Sequence, residues 1–208
     1  MGIPVLVLGA SGSGKSASLR NFNADEIGIF NVAGKPLPFK KALPTVHTDN
    51  YNSIMAGLVK GKCKAFAIDD SQYLMCFEMF GRSSEIGYQK FTEMALHFYN
   101  LVQLVINKLP PDVIVYFLHH TDMVDGYTKA KTVGKMLDEK LTLEGLFSIV
   151  LLCQTDGRSH NFITQSDGTT TAKSPMEMFE PVIENDLKLV DTKIREYYNL
   201  NPEKEKKE

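Results

Sequence analysis

The sequence predicts an α/β fold: a mainly parallel central sheet flanked by helices, with a C-terminal β-hairpin. Short apolar, β-branched runs recur along the chain ("IPVLVLG", "AFAID", "DVIVYFLHH", "SIVLLCQ"), each of strand length. Segments of helical period separate them. The clearest runs from Tyr88 to Leu109, where Phe91, Ala95, Phe98, Val102 and Val105 return every three or four residues. Strand and helix in alternation build a parallel sheet with helices on both faces.

The elements follow in order. Ile3–Gly9 reads as a buried strand ending in glycine. "KSASLRNF" reads as the helix after it. "IGIFNVAGKPLPFKK" reads as a strand and then a turn or hairpin, punctuated at "GKPLP". Asp49 is the expected N-cap of a helix over "YNSIMAGLVK", which Gly61 stops. "AFAID" is the next strand, and a helix begins near Ser71. "LPP" closes the long helix, because proline disfavours helical backbone before it. "DVIVYFLHH" is a strand, "KMLDEKL" helical and "SIVLLCQ" a strand. "RSHNFITQSDGTTTAK" is expected to form a hairpin turning at "SDGT". Glu184–Asn199 is the last helix. Residues 1–200 are expected to form one domain, and 201–208, "NPEKEKKE", a disordered charged tail.

Composition narrows the function classes. The chain has 208 residues, 43% hydrophobic and 23% charged, which suits a globular protein with a sizeable core. A net charge of -2 gives no global attraction to nucleic acid or membrane. Cys63, Cys76 and Cys153 lack metal-ligand spacing and read as reduced thiols, so a cytoplasmic location is expected. The opening "MGIPVLVLG" has no basic leader region, and no apolar run reaches membrane-spanning length.

One motif carries chemistry. "GASGSGKS" fits G-x-x-x-x-G-K-[ST], with a strand before it and an expected helix after it. Gly9, Ala10, Ser11, Gly12, Ser13 and Gly14 would curl so that backbone N–H groups face one anion. Lys15 would reach the outer phosphates of a nucleotide, Ser16 would ligate Mg²⁺, and Ala17 would complete the nucleotide-binding set. Such a loop needs a carboxylate at a strand tip, and Asp69 is the first acid after "AFAI". Asp70 has two readings, orienting an attacking water or capping the following helix. His119, His120 and Thr121 end a strand where the ligand crevice of an open α/β sheet lies. Alternation sends one histidine to the core and leaves the other, or Thr121, to sense the terminal phosphate. Lys131, Lys135, Arg158 and Lys173 are candidate cations for transition-state charge, Lys173 the most suggestive. Arg158, His160, Phe162 and Lys173 could also contact a single strand by charge and stacking.

Several nucleotide-binding classes are excluded by missing parts. "NKLP" lacks the aspartate of a guanine reader, so the expected nucleotide is ATP with Mg²⁺. Arginine occurs only at Arg20, Arg82, Arg158 and Arg195, too scattered for a phosphate-clamping small-molecule kinase. No L-S-G-G-Q signature of transporter ATPases occurs.

The order "GASGSGKS", "NVAGKPLPF", "AFAIDD", "YFLHHTD", "KTVGKML", "FITQSDGTTTAKSPMEMF" resembles phage-encoded RecA-like P-loop ATPases associated with single-strand annealing and recombination. The resemblance spans roughly residues 3–180. It implies a RecA-like P-loop NTPase core, ATP and Mg²⁺, a homo-oligomer or partner protein, and single-stranded DNA as a partner in the host cytoplasm. One departure stands out: the strand "IGIFNVAG" ends without the acid that activates water in RecA-type recombinases. Asp70 substitutes, or Asp49 approaches, or hydrolysis is slow. The last case would make the chain a nucleotide-gated binding switch.

Overall fold

The computed structural model describes residues 1–200, so the expected charged tail lies outside the described residues. β1 (Ile3–Gly9) is buried almost throughout and alternates between two cores. Leu6 and Leu8 face one, Val5 and Val7 the other, as the pleat requires. The chain then makes a single 3-10 turn, Ser16–Leu19. The helix expected over "KSASLRNF" is therefore only one turn. The Ser18 hydroxyl bonds back to the Lys15 carbonyl, and the asparagines that follow are poor helix formers.

β2 (Ile27–Asn31) leads through a loop, with no hairpin, to β3 (Thr45–His47), which lies parallel to it. α1 (Tyr51–Lys60) is capped by Asn50, whose side chain accepts the Ser53 N–H, and not by Asp49. β4 (Ala65–Asp69), α2 (Gln72–Gly81) and α3 (Gln89–Lys108) come next. β5 (Ile114–Val124) runs past the paired histidines and folds back on β6 (Tyr127–Ala130). A wide π-type turn, Met136–Leu141, and a 3-10 turn, Leu143–Leu146, lead to β7 (Ile149–Thr155).

The C-terminal hairpin forms, but it does not turn at "SDGT". β7 pairs antiparallel with β8 (His160–Ile163), and the turn is Asp156–Ser159. Asp156 accepts the N–H groups of Arg158 and Ser159, which closes that turn tightly. β8 then pairs antiparallel with β9 (Val182–Glu184). The last helix, α4 (Leu187–Tyr197), starts after Glu184, capped by Asp186.

The nine-stranded sheet has the order β3-β2-β4-β5-β1-β7-β8-β9, with β6 attached to β5. Its central strands are parallel and its outer C-terminal strands antiparallel. α1, α2 and α3 cover one face, through Ile54, Leu58, Leu74, Phe98, Leu101 and Val105. α4 and the 3-10 turn after β1 cover the other, through Leu19, Phe22, Leu187, Val190 and Ile194. The chain therefore leaves β1 toward one face, while α2 and α3, which join β4 to β5, lie on the other. That divergence opens a crevice at the C-terminal ends of β1, β4 and β5.

Candidate functional site

The crevice is a cavity of about 370 Å³ lined by the glycine-rich loop, Asp69, Asp70, His120, His160 and the Lys35–Pro38 segment. A larger cavity, about 610 Å³, lies between the Glu177–Glu184 segment and α4 and holds none of the sequence-predicted residues.

The loop from Gly9 to Gly14 is built as its composition requires. Gly12 and Gly14 have φ of 79° and 102°, which side-chain-bearing residues rarely adopt. A Cβ on Gly14 would also strike the His160 ring at 2.8 Å. His160 Nδ1 donates to the Ser13 carbonyl at 2.7 Å and the Cys153 thiol donates to the same oxygen at 2.8 Å. The Ser13 hydroxyl is buried without a hydrogen-bond partner. Lys15 is buried, and its ammonium donates to the carbonyls of Gly9 and Ala10 at 2.8 and 2.9 Å. Burial lowers the Lys15 pKa, while Asp70, Cys153 and Asp69 pull it back upward.

Two residues 53 apart in sequence meet here: the Ser16 hydroxyl donates to Asp69 Oδ1 at 2.7 Å. Asp69 ends β4, which is not adjacent to β1, because β5 runs between them. Burial raises the Asp69 pKa, and the Ser16 bond opposes that only in part.

Asp70 follows with φ of 60°, a left-handed conformation that aspartate tolerates better than most residues. Its side chain caps nothing in α2. Oδ1 is 3.2 Å from His120 Nε2, and Oδ2 is 2.7 Å from Lys35 Nζ. Burial works to raise this carboxyl, but the bonds from His120 and Lys35 outweigh it and hold the pKa at about 2. The Asp70 bond in turn raises the Lys35 pKa. Tyr73 packs its ring edgewise on His120 and lies under the Lys35 ammonium, 5.3 Å away.

The two histidines divide as alternation predicts. His119 is fully buried, bonded to the Ser71 hydroxyl and the Lys131 carbonyl, and burial drops its pKa to about 4. His120 reaches the crevice. Thr121 does not line it: Thr121 sits opposite Ala130 in the β5–β6 ladder.

Several expected contributors lie elsewhere. The backbone of Lys173 pairs with Val150, at the level of Leu6 in mid-sheet and not at the crevice. Phe162 is fully buried, so it cannot stack on a base. Asp49 lines a separate hollow with Tyr51, Glu78 and His97. Lys135 pairs with Glu139 on an exposed turn. Arg20, Arg82 and Arg195 are engaged with Glu184, with Glu78, Glu85 and Glu93, and with Asp191, so none clamps the crevice.

Sequence reasoning missed Lys35. The only signal was "GKP" just beyond a strand end. Asn31, the last residue of β2 and the neighbour of Asp69, makes that position: its side chain bonds Gly34 N and the Lys35 carbonyl. Asn31 thus stands at the strand end that carries the acid in RecA-type recombinases, and spends its amide on the loop.

A hydroxyl and a carboxylate 2.7 Å apart form a hard-oxygen set that suits Mg²⁺, which keeps waters and phosphate oxygens for its other positions. Among the described residues no group of three or more His, Cys, Asp or Glu could hold a metal unaided. No helix among them is long and apolar enough to cross a membrane. No protein-family model matches the chain, and no curated protein matches it.

Proposed function

We propose that this chain is an ATP- and Mg²⁺-dependent P-loop ATPase of RecA-like type acting in DNA recombination or single-strand annealing. The observation that carries the nucleotide half is the 2.7 Å bond between Ser16 and Asp69. It joins the two motifs that need each other, at the crevice where α/β sheets take their ligands.

In this reading the amides of Gly12 to Ser16 receive the phosphates. Lys15 exchanges the Gly9 and Ala10 carbonyls for phosphate oxygens, which relieves its buried charge. Ser16 and Asp69 would hold Mg²⁺, which when bound neutralises charge between phosphate oxygens. Asp70 orients the attacking water, and His120 Nε2 fixes the carboxylate through Oδ1. With only one turn of helix behind the loop, the helix dipole contributes little, and the loop amides and Lys15 carry the attraction.

Phosphate release from ATP with Mg²⁺ tests this. Lys15→Ala and Asp69→Asn should lose nucleotide binding. Asp70→Asn should bind and lose turnover by on the order of 100-fold, the cost of one transition-state contact. Full turnover in Asp70→Asn would remove Asp70 from the mechanism.

The DNA half rests on the resemblance, and burial of Phe162 takes away one expected contact. Turnover that rises with single-stranded DNA, with a band shift at low salt, would support it. Unchanged turnover and no band shift would remove it. A second reading, a nucleotide-gated switch with little hydrolysis, is favoured by Asn31, which ends β2 where a water-activating acid would stand. ATP left intact after prolonged incubation with excess protein would select it.

A further inference from the structure

We infer that Lys35, from the β2–β3 loop of the same chain, is the cation that engages the terminal phosphate, and that its pairing with Asp70 is the resting state of the site. The inference rests on the nucleotide reading of the crevice and goes beyond it by naming a residue outside both motifs.

The geometry has three parts. First, Lys35 lines the same cavity as Gly12, Lys15, Ser16 and Asp69. Second, its backbone is anchored, while its side chain is held at the tip, by Asp70 and the Tyr73 ring. Asn31 clips Gly34 N and the Lys35 carbonyl, Gly34 has φ of 67°, and Pro36 and Pro38 restrict the segment beyond. The Lys35 side chain is 61% exposed, so its ammonium is open to a ligand entering the crevice. Third, the ammonium occupies Asp70 Oδ2 while His120 occupies Oδ1. Both oxygens of the proposed water-orienting carboxylate are thus engaged.

A terminal phosphate carries more charge than one carboxylate and offers three oxygens, so it competes for the Lys35 ammonium. Transfer of Lys35 to it frees Oδ2 without disturbing the His120 bond. The water oxygen then bonds to the terminal phosphorus. The bond to the bridging oxygen breaks, and its electron pair stays on the departing diphosphate. The proton lost by water passes to Asp70 Oδ2. Asp70 therefore becomes available only when a triphosphate, not a diphosphate, fills the site. Lys173 is not required in this scheme, and its mid-sheet position no longer counts against catalysis.

The test compares wild type, Lys35→Met and Lys35→Arg. Each is titrated with a fluorescent ADP and a fluorescent non-hydrolysable ATP analogue, both with Mg²⁺, and assayed for phosphate release. Lys35→Met should bind ADP as wild type does and bind the triphosphate analogue about ten-fold more weakly, the loss of one charge-assisted contact. Turnover should fall on the order of 100-fold. Lys35→Arg should recover the preference for triphosphate over diphosphate, a readout that a structural role would not move. Unchanged preference and turnover in Lys35→Met, with wild type active, would overturn the Lys35 assignment and leave the crevice reading intact. Wild type that binds neither nucleotide would overturn both.

Discussion

At the scale of single residues, Asp69 and Asp70 are adjacent acids with opposite energetic signs. Asp70 is charged and doubly bonded, and its pKa in the fold is about 2 against an ordinary 3.8. A depressed carboxyl stabilises the fold above its unfolded pKa, here by on the order of 2 kcal/mol, and that stability drains as pH falls from about 4 toward 2. Asp69 is raised by burial, so its charge opposes folding once pH passes its ordinary value. Urea unfolding should therefore separate the two. Asp70→Asn should be less stable than wild type near neutral pH, with the deficit shrinking in acid. Asp69→Asn should be more stable than wild type near neutral pH, with the advantage shrinking in acid, because asparagine still accepts the Ser16 bond without a buried charge. A neutral-pH loss of stability in Asp69→Asn would contradict this account. The sequence showed that the two acids differ, because only one follows the apolar run directly. It did not show the partners that set Asp70, because Lys35 and His120 lie 35 and 50 positions away along the chain.

At the scale of elements, the buried strands were legible, while the short strands β3, β6 and β9 and the helix ends were not. β1, β4, β5 and β7 are runs in which each pleat face meets its own core, so their residues are apolar on both sides. Leu19 and Phe22 have the spacing that predicts a helix, yet the segment stops after one turn, where the Ser18 hydroxyl bonds back to the Lys15 carbonyl and the Asn21 side chain turns to Asp186. The hairpin shifted because "TDGRS" and "SDGT" carry the same turn chemistry, and the choice falls to whichever segment finds β7. The cap of α1 shifted by one residue, which gives a sharp test. Asn50→Ala removes the acceptor for Ser53 N and should cost about 1 kcal/mol. Asp49→Ala should leave thermal stability nearly unchanged. Equal losses in both variants would mean that the helix starts earlier.

At the scale of the whole molecule, the glycine loop is held by the far end of the chain. A loop backed by a single 3-10 turn has little stiffness of its own, and the described contacts supply it from β7, β8 and the N-terminal end of α4. Asp186 caps α4 with Oδ1 and accepts the Asn21 amide with Oδ2 at 2.6 Å. Arg20 donates to the Asn185 carbonyl at 2.6 Å, and the Asn185 amide bonds the Cys153 sulfur. Cys153 and His160 both donate to the Ser13 carbonyl inside the loop. α4 also packs Val190 and Ile194 into the core that holds Leu19 and Phe22. The antiparallel edge that extends the parallel sheet is thus a brace for the loop. Asn21→Ala touches nothing in the crevice, yet it should weaken binding of an Mg²⁺–ATP analogue roughly three- to ten-fold, the worth of about one hydrogen bond. It should also speed hydrogen exchange at the Gly12–Ser16 amides, a readout independent of ligand. Lys193→Ala, on the part of α4 that borders the larger cavity, should change neither. Lower melting with unchanged affinity and exchange in Asn21→Ala would reduce α4 to a core-covering helix with no hold on the loop.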